Sequence, residues 1–214
     1  NPDLKLSMVS VDNLWAIICA TKYVVLKEID GDLAECGVWR GGCSLAMALV
    51  LKKLNSTKKV YLFDTFNGMT APEDNYDFSS YSGRKASKWY KENDTGGSSW
   101  CFASIEDVRR TFKKFNLTDN VEFIKGDVCE TLQNKNNLPK NLSLLRLDTD
   151  WYQSTKKEME ILFPILQKNG VLLIDDYGHW RGSRTAVDDY FQKEGDKYPL
   201  LWKTDPSGRG FLKI

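Results

Sequence analysis

The chain of 214 residues contains a single histidine, and none of its five cysteines forms a Cys-x-x-Cys pair. This scarcity argues against a zinc site, because structural and catalytic zinc ions are usually held by clustered histidines and cysteines. An odd number of scattered cysteines also argues against a disulfide framework. We therefore expect a protein of the reducing cytoplasm, without structural disulfides.

Long apolar runs and an excess of charge of one sign are also missing. The longest apolar runs, residues 14–20 and 45–51, are too short to cross a bilayer, and no signal-peptide pattern opens the chain. Lys and Arg number 30 against 29 Asp and Glu, and the two signs are interspersed. We therefore expect neither a membrane nor a nucleic acid as partner, but a small molecule or glycan that is recognised locally.

Helical and strand patterns alternate along the chain. Helical periodicity is found in residues 9–25, 44–54, 104–115, 154–168 and 184–193. Short strand patterns lie in residues 33–38, 59–63, 121–124, 142–147, 171–174, 200–204 and 210–214. This alternation predicts one α/β domain with a mainly parallel seven-stranded sheet and helices on both faces, a Rossmann-like fold.

Residues 65–103 interrupt the alternation with a connection far longer than the usual roughly 4–6 residues. The segment is rich in glycine, serine and asparagine, yet it carries many aromatic side chains: Phe66, Tyr76, Phe78, Tyr81, Trp89, Tyr90, Trp100 and Phe102. Such aromatic density predicts a lid or a wall of a substrate site. A disordered insertion and a subunit contact are the alternatives.

A glycine-rich turn joins the first strand to the next helix, over residues 35–42. Its glycines do not have the Gly-x-Gly-x-x-Gly spacing of a dinucleotide site. Glu35 lies two residues before Gly37, which suits a ligand with a cationic amino group, such as S-adenosylmethionine. The alternative is a structural turn without a ligand.

Carboxylates at the ends of the next two strands fit a nucleoside. Asp64 ends the second strand, where a carboxylate can accept both hydroxyl groups of a ribose. Asp127 and Val128 end the third strand, where the edge of an adenine would lie. Each of these could be only a turn residue. Together with Glu35 they predict a nucleoside pocket.

Two acidic motifs follow the fourth and fifth strands: Asp148 and Asp150 in the first, Asp175 and Asp176 in the second. The carboxyl ends of parallel strands meet at one edge of a sheet, so the four carboxylates should lie close together and repel one another. Helix caps and turns are the alternative, although Ser154 already offers a cap after the fourth strand. Oxygen ligands favour hard cations, and the motifs predict a site for Mg²⁺, Ca²⁺ or Mn²⁺.

The order and spacing of these motifs resemble the macrocin O-methyltransferase family from about residue 8 to the C-terminus. The resemblance rests on five motifs: Gly31-Asp-Leu-Ala-Glu-Cys-Gly-Val-Trp-Arg-Gly-Gly42, Phe63-Asp-Thr-Phe-Asn-Gly68, Leu144-Leu-Arg-Leu-Asp-Thr-Asp150, Ser154-Thr155 and Asp175-Asp-Tyr-Gly178. It implies a class I methyltransferase fold, S-adenosylmethionine and Mg²⁺ as cofactors, and a sugar hydroxyl as acceptor.

The resemblance also implies roles for single residues. Glu35, Gly37, Asp64 and Asp127 match cofactor positions, and Asp148, Asp175 and Asp176 match metal ligands. Asp150 matches the general base of some members. We predict that Asp150 is the base, because strand alternation points it to the same side as Asp148, and that His179 contacts the acceptor. His179 remains the second candidate for the base, since its usual pKa of about 6.5 suits proton transfer.

Several alternatives stay open at this point. A catechol-type methyltransferase would also chelate Mg²⁺, and a non-catalytic cofactor-binding subunit would share the fold. The acceptor could be a nucleotide sugar, a polysaccharide or a glycosylated natural product. A homo-oligomer is equally compatible with the sequence.

Overall fold

The computed structural model describes residues 5–93, 100–193 and 199–214. Within these ranges the helices are α1 (Val11–Leu26), α2 (Gly42–Lys53), α3 (Ala86–Asn93), α4 (Ile105–Lys114), α5 (Val128–Thr131), α6 (Tyr152–Ile161) and α7 (Arg181–Lys193), with a 3₁₀ turn at Lys135–Asn137. The strands are β1 (Asp32–Cys36), β2 (Val60–Asp64), β3 (Val121–Lys125), β4 (Leu142–Leu147), β5 (Leu166–Ile174), β6 (Trp202–Lys203) and β7 (Arg209–Leu212).

The strands form one seven-stranded sheet in the order β3-β2-β1-β4-β5-β7-β6. The five strands from β3 to β5 are parallel, and β7 and β6 add an antiparallel edge. The predicted mainly parallel sheet is therefore confirmed. Because β1 and β4 are central neighbours, the loops that follow them lie side by side at the carboxyl edge.

Two apolar cores cover the two faces of the sheet, as period-2 alternation requires. Leu33, Leu144 and Leu173 face a core that contains residues of α1, α2 and α4. Their strand neighbours Ala34 and Leu145 face a second core with residues of α5, α6 and α7. The helices thus lie on both faces, and the central strands are apolar on both.

Two predicted boundaries are wrong. The helix expected over residues 154–168 ends at Ile161, and β5 already begins at Leu166. Pro164 disfavours a helical conformation at the residue before it, which explains the early end. Asn169, expected to stop the helix, instead lies within β5 with φ +62° and donates its N–H to Lys213 O.

The capping role suggested for Ser154 is also wrong. Ser154 lies in the first turn of α6, and its hydroxyl donates to Trp151 O at 3.1 Å. The N-cap residue is Trp151, whose side chain makes no capping hydrogen bond. All five cysteines are unpaired. Across the described ranges no helix is long and apolar enough to span a bilayer.

Candidate active site

Two adjoining cavities open at the carboxyl edge of the parallel strands, the edge where ligands bind in sheets of this kind. The larger, of about 430 Å³, is lined by Glu35, the acidic motifs, His179 and the chain segment before α1. The smaller, of about 60 Å³, is lined by the residues that follow β2 and β3. Gly37, Asp64 and Asp148 line both cavities, so the two form one cleft.

All residues predicted to bind a cofactor line this cleft: Glu35, Gly37, Asp64, Asp127 and Val128. Gly37 is required there for a steric reason. Its φ is +82°, and a Cβ at this position would collide with the carbonyl oxygen of Asp148. Glycine therefore lets the loop after β1 pass directly against the loop after β4.

Asp64 anchors the glycine-rich turn. Its Oδ2 accepts hydrogen bonds from Val38 N at 2.6 Å and Trp39 N at 3.0 Å, and its Oδ1 accepts one from Phe66 N at 2.6 Å. Burial raises the pKa of this carboxyl, and the three backbone donors oppose the rise. The side chain thus has a structural role besides the predicted contact with a ribose.

Asp127 has a local role of the same kind. It is the N-cap of α5, and its Oδ1 accepts a hydrogen bond from Cys129 N at 2.8 Å. Asp127 and Val128 both line the smaller cavity, together with Gly37. The geometry agrees with the predicted adenine side of a nucleoside pocket, and the contact itself stays a prediction.

Glu35 is buried in an ion-pair network with Arg146, a residue that the sequence reasoning missed. The guanidinium is 1% exposed and contacts Glu35 Oε1 at 2.7 Å, Asp148 Oδ2 at 2.6 Å and Asp175 Oδ1 at 2.5 Å. Ser44 donates its hydroxyl to the other oxygen of Glu35. Since both oxygens of Glu35 are engaged, direct contact with a cofactor amino group stays a prediction.

A sequence signal for Arg146 did exist. A charged residue in the middle of an apolar strand, Leu144-Leu-Arg-Leu147, must be paired, because arginine is almost never fully buried alone. The β1–β4 register places Arg146 directly beside Glu35. Removing one partner of such a buried pair typically costs about 3–5 kcal/mol. Arg146 is therefore part of the site, because it holds three of the acids by ion pairs.

The acidic motifs converge as predicted, although the set of residues differs. Carboxylate oxygens of Asp148, Asp150 and Asp176 lie within 4.8 Å of one another. Asp175 is turned towards other partners, because its Oδ1 accepts hydrogen bonds from Arg146 Nη2 and from Asn13 Nδ2 at 2.6 Å. The predicted triad of metal ligands contains Asp175 in place of Asp150, and its role as a ligand stays a prediction.

We call the converging carboxylates of Asp148, Asp150 and Asp176 the acidic cluster. Their surroundings fit a hard divalent cation. Asp176 Oδ2 is buried and has no hydrogen-bond partner among the described residues. Burial raises the pKa of Asp150 to about 7, and the negative charge of Asp148 adds to the rise. Such a group of acids is destabilised by mutual repulsion unless a cation or protons neutralise it. An all-oxygen donor set is the one that Mg²⁺, Mn²⁺ and Ca²⁺ prefer.

The candidate bases lie on the wall of the same cavity. Asp150 has φ +67°, an uncommon conformation for a residue with a side chain. The ring of His179 packs edge-on against Trp180 and Tyr81, with centroids 4.7 Å and 5.5 Å apart. Burial lowers the pKa of His179, and Asp175 opposes the change. Asp150 and His179 both line the larger cavity, which Asp148 and Asp176 also line.

Tryptophans from the 65–103 insert meet tryptophans that follow the acidic motifs. Trp100 of the insert packs edge-on against Trp151 and Trp180, with centroids 5.8 Å and 6.4 Å apart, and Trp89 packs against Trp180 at 5.2 Å. We call these four residues the tryptophan cluster. Trp100 and Trp180 line the larger cavity. The insert therefore borders the site, as a substrate wall would.

The segment that precedes α1 also borders the cavity, which the sequence reasoning did not foresee. Residues 6–10 line its outer side. Leu6 O accepts a hydrogen bond from Gly42 N at 2.9 Å, and Ser10 donates to Asp205 Oδ2 at 2.6 Å. Nothing in the composition of this short stretch, Leu-Ser-Met-Val-Ser, distinguishes it from an ordinary leader to a helix.

Comparison with solved structures assigns the fold. The solved O-methyltransferase NovP is 28% identical, with a TM-score of 0.85 over 98% of this chain and 82% of that one. The SAH-bound Podospora anserina methyltransferase PaMTH1 is 16% identical, with a TM-score of 0.59 over 100% and 82%. At that identity the second likeness concerns the fold alone. The fold is that of the class I methyltransferases.

Sequence relatives narrow the class to a family. The family model described as Macrocin-O-methyltransferase (TylF) matches residues 1–208. The chain is 32% identical over 201 residues to the 8-demethyl-8-(2,3-dimethoxy-alpha-L-rhamnosyl)-tetracenomycin-C 4'-O-methyltransferase of Streptomyces olivaceus, covering 93% of this chain and 72% of that protein. It is 31% identical over 190 residues to the demethyldecarbamoylnovobiocin O-methyltransferase of Streptomyces niveus, covering 87% and 68%.

The chain therefore belongs to the macrocin O-methyltransferase family. It is an S-adenosylmethionine-dependent O-methyltransferase, and the family resemblance of its motifs is confirmed. Family membership also favours an enzyme over the alternative of a non-catalytic cofactor-binding subunit.

The site predicts that Asp64 recognises the ribose of the cofactor. Asp64→Ala should weaken binding of S-adenosylhomocysteine by about 10- to 100-fold, because hydrogen bonds to a charged group are lost. Isothermal titration calorimetry measures this affinity. Mn²⁺ affinity in the same variant serves as the control and should change little, since Asp64 lies outside the acidic cluster.

Because Asp64 also anchors the turn, a second ligand is needed to separate the two roles. The wild type should bind the 2'-deoxy analogue of S-adenosylhomocysteine more weakly than the parent compound, whereas Asp64→Ala should bind both alike. Equal discrimination by the two proteins would show that Asp64 acts only through the turn.

Proposed function

We propose that this methyltransferase transfers the methyl group of S-adenosylmethionine to a sugar hydroxyl, with a divalent cation held by aspartates of the two acidic motifs. The observation that carries the proposal is the convergence of Asp148, Asp150 and Asp176 in the cavity that also contains the glycine-rich turn. The glycine-rich turn of the predicted cofactor site and the acidic motifs thus line one cavity, in which an acceptor oxygen can approach a methyl donor.

The names of the relatives support a sugar as the acceptor. The Streptomyces olivaceus relative is named for the 4' position of a rhamnosyl unit, and a Micromonospora griseorubida relative, 26% identical over 213 residues, is a mycinamicin III 3''-O-methyltransferase. Trp100 and Trp180 add a physical argument, because aromatic faces pack well against the apolar C–H faces of a sugar ring. A free nucleotide sugar and a glycosylated product both fit this chemistry.

The cation supplies what the chain alone lacks. An alcohol hydroxyl with a pKa near that of water, about 15.7, and the buried carboxyl of Asp150, with a pKa of about 7, differ by roughly 9 pKa units, or about 12 kcal/mol. When bound, a divalent cation can lower the pKa of a hydroxyl placed against it to about 7–9. Asp148, Asp175 and Asp176 would hold it, and Asp150 lies beside them as the proposed base.

The protein residues then have separate tasks. Arg146 holds Asp148 and Asp175 in fixed orientations, so that one oxygen of each is committed to the guanidinium. Asp150 accepts the proton of the acceptor hydroxyl while the hydroxyl oxygen attacks the methyl group in line. The new O–C bond forms as the C–S bond breaks, and S-adenosylhomocysteine leaves. His179 lies on the acceptor wall and orients the acceptor.

A methyl-transfer assay tests the function. With labelled S-adenosylmethionine, the protein should label methyl α-L-rhamnoside or dTDP-L-rhamnose, lose this activity in EDTA and regain it with MgCl₂. Catechol, tested as acceptor under the same conditions, probes the alternative of a catechol-type methyltransferase. Labelling of catechol alone would favour the catechol-type alternative, and sugar labelling that survives EDTA would contradict the metal requirement.

The assignment of the base gives a separate prediction. Asp150→Asn should lower turnover by about 10²-fold or more, while Mn²⁺ and S-adenosylhomocysteine affinities stay close to those of the wild type. His179→Ala should mainly raise the KM of the sugar acceptor. Steady-state kinetics and calorimetry measure both.

Two results would overturn this assignment. Loss of Mn²⁺ binding in Asp150→Asn would make Asp150 a metal ligand instead of the base. Loss of turnover in His179→Ala, with turnover largely retained in Asp150→Asn, would reverse the two roles.

A further inference from the structure

One acid of the 65–103 insert is almost completely buried. Asp77 is 1% exposed, and its two carboxylate oxygens have different partners. Oδ2 accepts a hydrogen bond from Glu73 N at 2.7 Å, within the insert, whereas Oδ1 accepts one from Tyr152 N at 2.9 Å, at the beginning of α6. A side chain of the insert is therefore bonded to the element that follows the first acidic motif.

The bond from Tyr152 N supplies the cap that α6 lacks. Trp151, at the N-cap position, makes no side-chain hydrogen bond to the first turn. The first N–H groups of a helix need acceptors, and a carboxylate there is also favoured by the helix dipole. Asp77 provides both a hydrogen-bond acceptor and a carboxylate at this helix end, although it lies far away in the chain. The start of α6 therefore depends on the insert.

This cap lies two residues after Asp150, whose φ is +67°. A non-glycine residue keeps such a conformation only where its surroundings hold it. Two further contacts from the insert hold the same loop: Trp151 Nε1 donates to Thr70 O at 2.9 Å, and Tyr76 stacks on Tyr152 with centroids 3.9 Å apart. The backbone of the candidate base is thus held from the insert side.

The same part of the insert also contacts the loop after the second acidic motif. Ser80 N donates to His179 O at 2.8 Å, and Arg181 N donates to Phe78 O at 3.0 Å. Gly182 packs so closely on Asp77 that a Cβ there would collide with Oδ1. Asp77 therefore lies between the beginnings of α6 and α7, where the loops that carry Asp150 and His179 end.

We propose that Asp77 is a positioning residue for methyl transfer: through Tyr152 N and Gly182 it fixes the loops that carry Asp150 and His179. The inference rests on the proposed function, in which those two residues act on the acceptor. It assigns the described part of the insert around Asp77 a scaffolding role in addition to that of a substrate wall. A lid that moves as a whole would have to break these bonds at each turnover.

The test compares Asp77→Ala and Asp77→Asn with a control from the same segment. Asp74 is half-exposed and pairs with Lys85 at the surface, a kind of pair that contributes little, so Asp74→Asn is the control. Asp77→Ala should lower kcat on the rhamnose acceptor by about 10- to 100-fold, because displacement of a reacting group by about 1 Å has effects of this size. Affinity for S-adenosylhomocysteine should change less than about twofold, and Asp77→Asn should be intermediate.

A readout without acceptor separates this inference from the proposed function. In Asp77→Ala, hydrogen exchange of residues 148–153 should become faster, and the near-UV circular dichroism of the tryptophan cluster should weaken. Asp74→Asn should match the wild type in both. If Asp77→Ala does not fold, Gly182→Ala, which displaces the same carboxylate, replaces it.

The outcomes distinguish the two claims. Unchanged exchange of residues 148–153 in folded Asp77→Ala overturns the inference, whatever the activity. A kcat that falls only in proportion to the folded fraction, measured by thermal unfolding, overturns it too. A wild type that methylates no sugar contradicts the proposed function instead, and the exchange result then still decides the role of Asp77.

Discussion

The buried guanidinium of Arg146 is the interaction on which the rest of the site depends. It contacts one carboxylate from β1, one from the loop after β4 and one from the loop after β5. Without it, Glu35 would be a buried and uncompensated charge, which is among the most costly defects that a protein interior can contain. With it, acids from three strands occupy one small volume in fixed orientations.

This arrangement divides the acids into two groups. Glu35 and Asp175 form ion pairs with Arg146, whereas Asp150 and Asp176 converge with Asp148. Asp148 belongs to both groups, since one oxygen contacts the guanidinium and the residue also contributes to the converging cluster. One positive charge cannot neutralise five acids, and the excess of negative charge on the cavity side is what a divalent cation would balance.

Much of this structure could be predicted from the sequence because it follows from local rules. Alternating strand and helix patterns fix a parallel sheet, and a parallel sheet brings the ends of its strands to one edge. That rule alone gathers Glu35, Asp64, Asp148 and Asp176 in one cleft. The family resemblance implies that Gly37 is a cofactor position, and the structure adds a steric reason for a glycine there, its contact with the Asp148 carbonyl.

What could not be predicted depends on contacts between distant parts of the chain. The orientation of Asp175 towards Asn13, and the cap that Asp77 provides for α6, join residues that no local pattern links. The end of α6 was mispredicted because apolar residues 161–166 continue a helical pattern that Pro164 interrupts. Arg146 was recognisable in principle, as a charge inside an apolar strand, yet its three partners follow only from the strand order.

The most direct measurement of the central claim is anomalous diffraction from crystals grown with S-adenosylhomocysteine and Mn²⁺. We predict one manganese peak between the acidic motifs, about 2.0–2.6 Å from carboxylate oxygens of Asp148, Asp175 and Asp176, with the Arg146 ion pairs retained. Crystals with S-adenosylhomocysteine bound beside Gly37 and Asp64, but with no manganese between these aspartates, would contradict it.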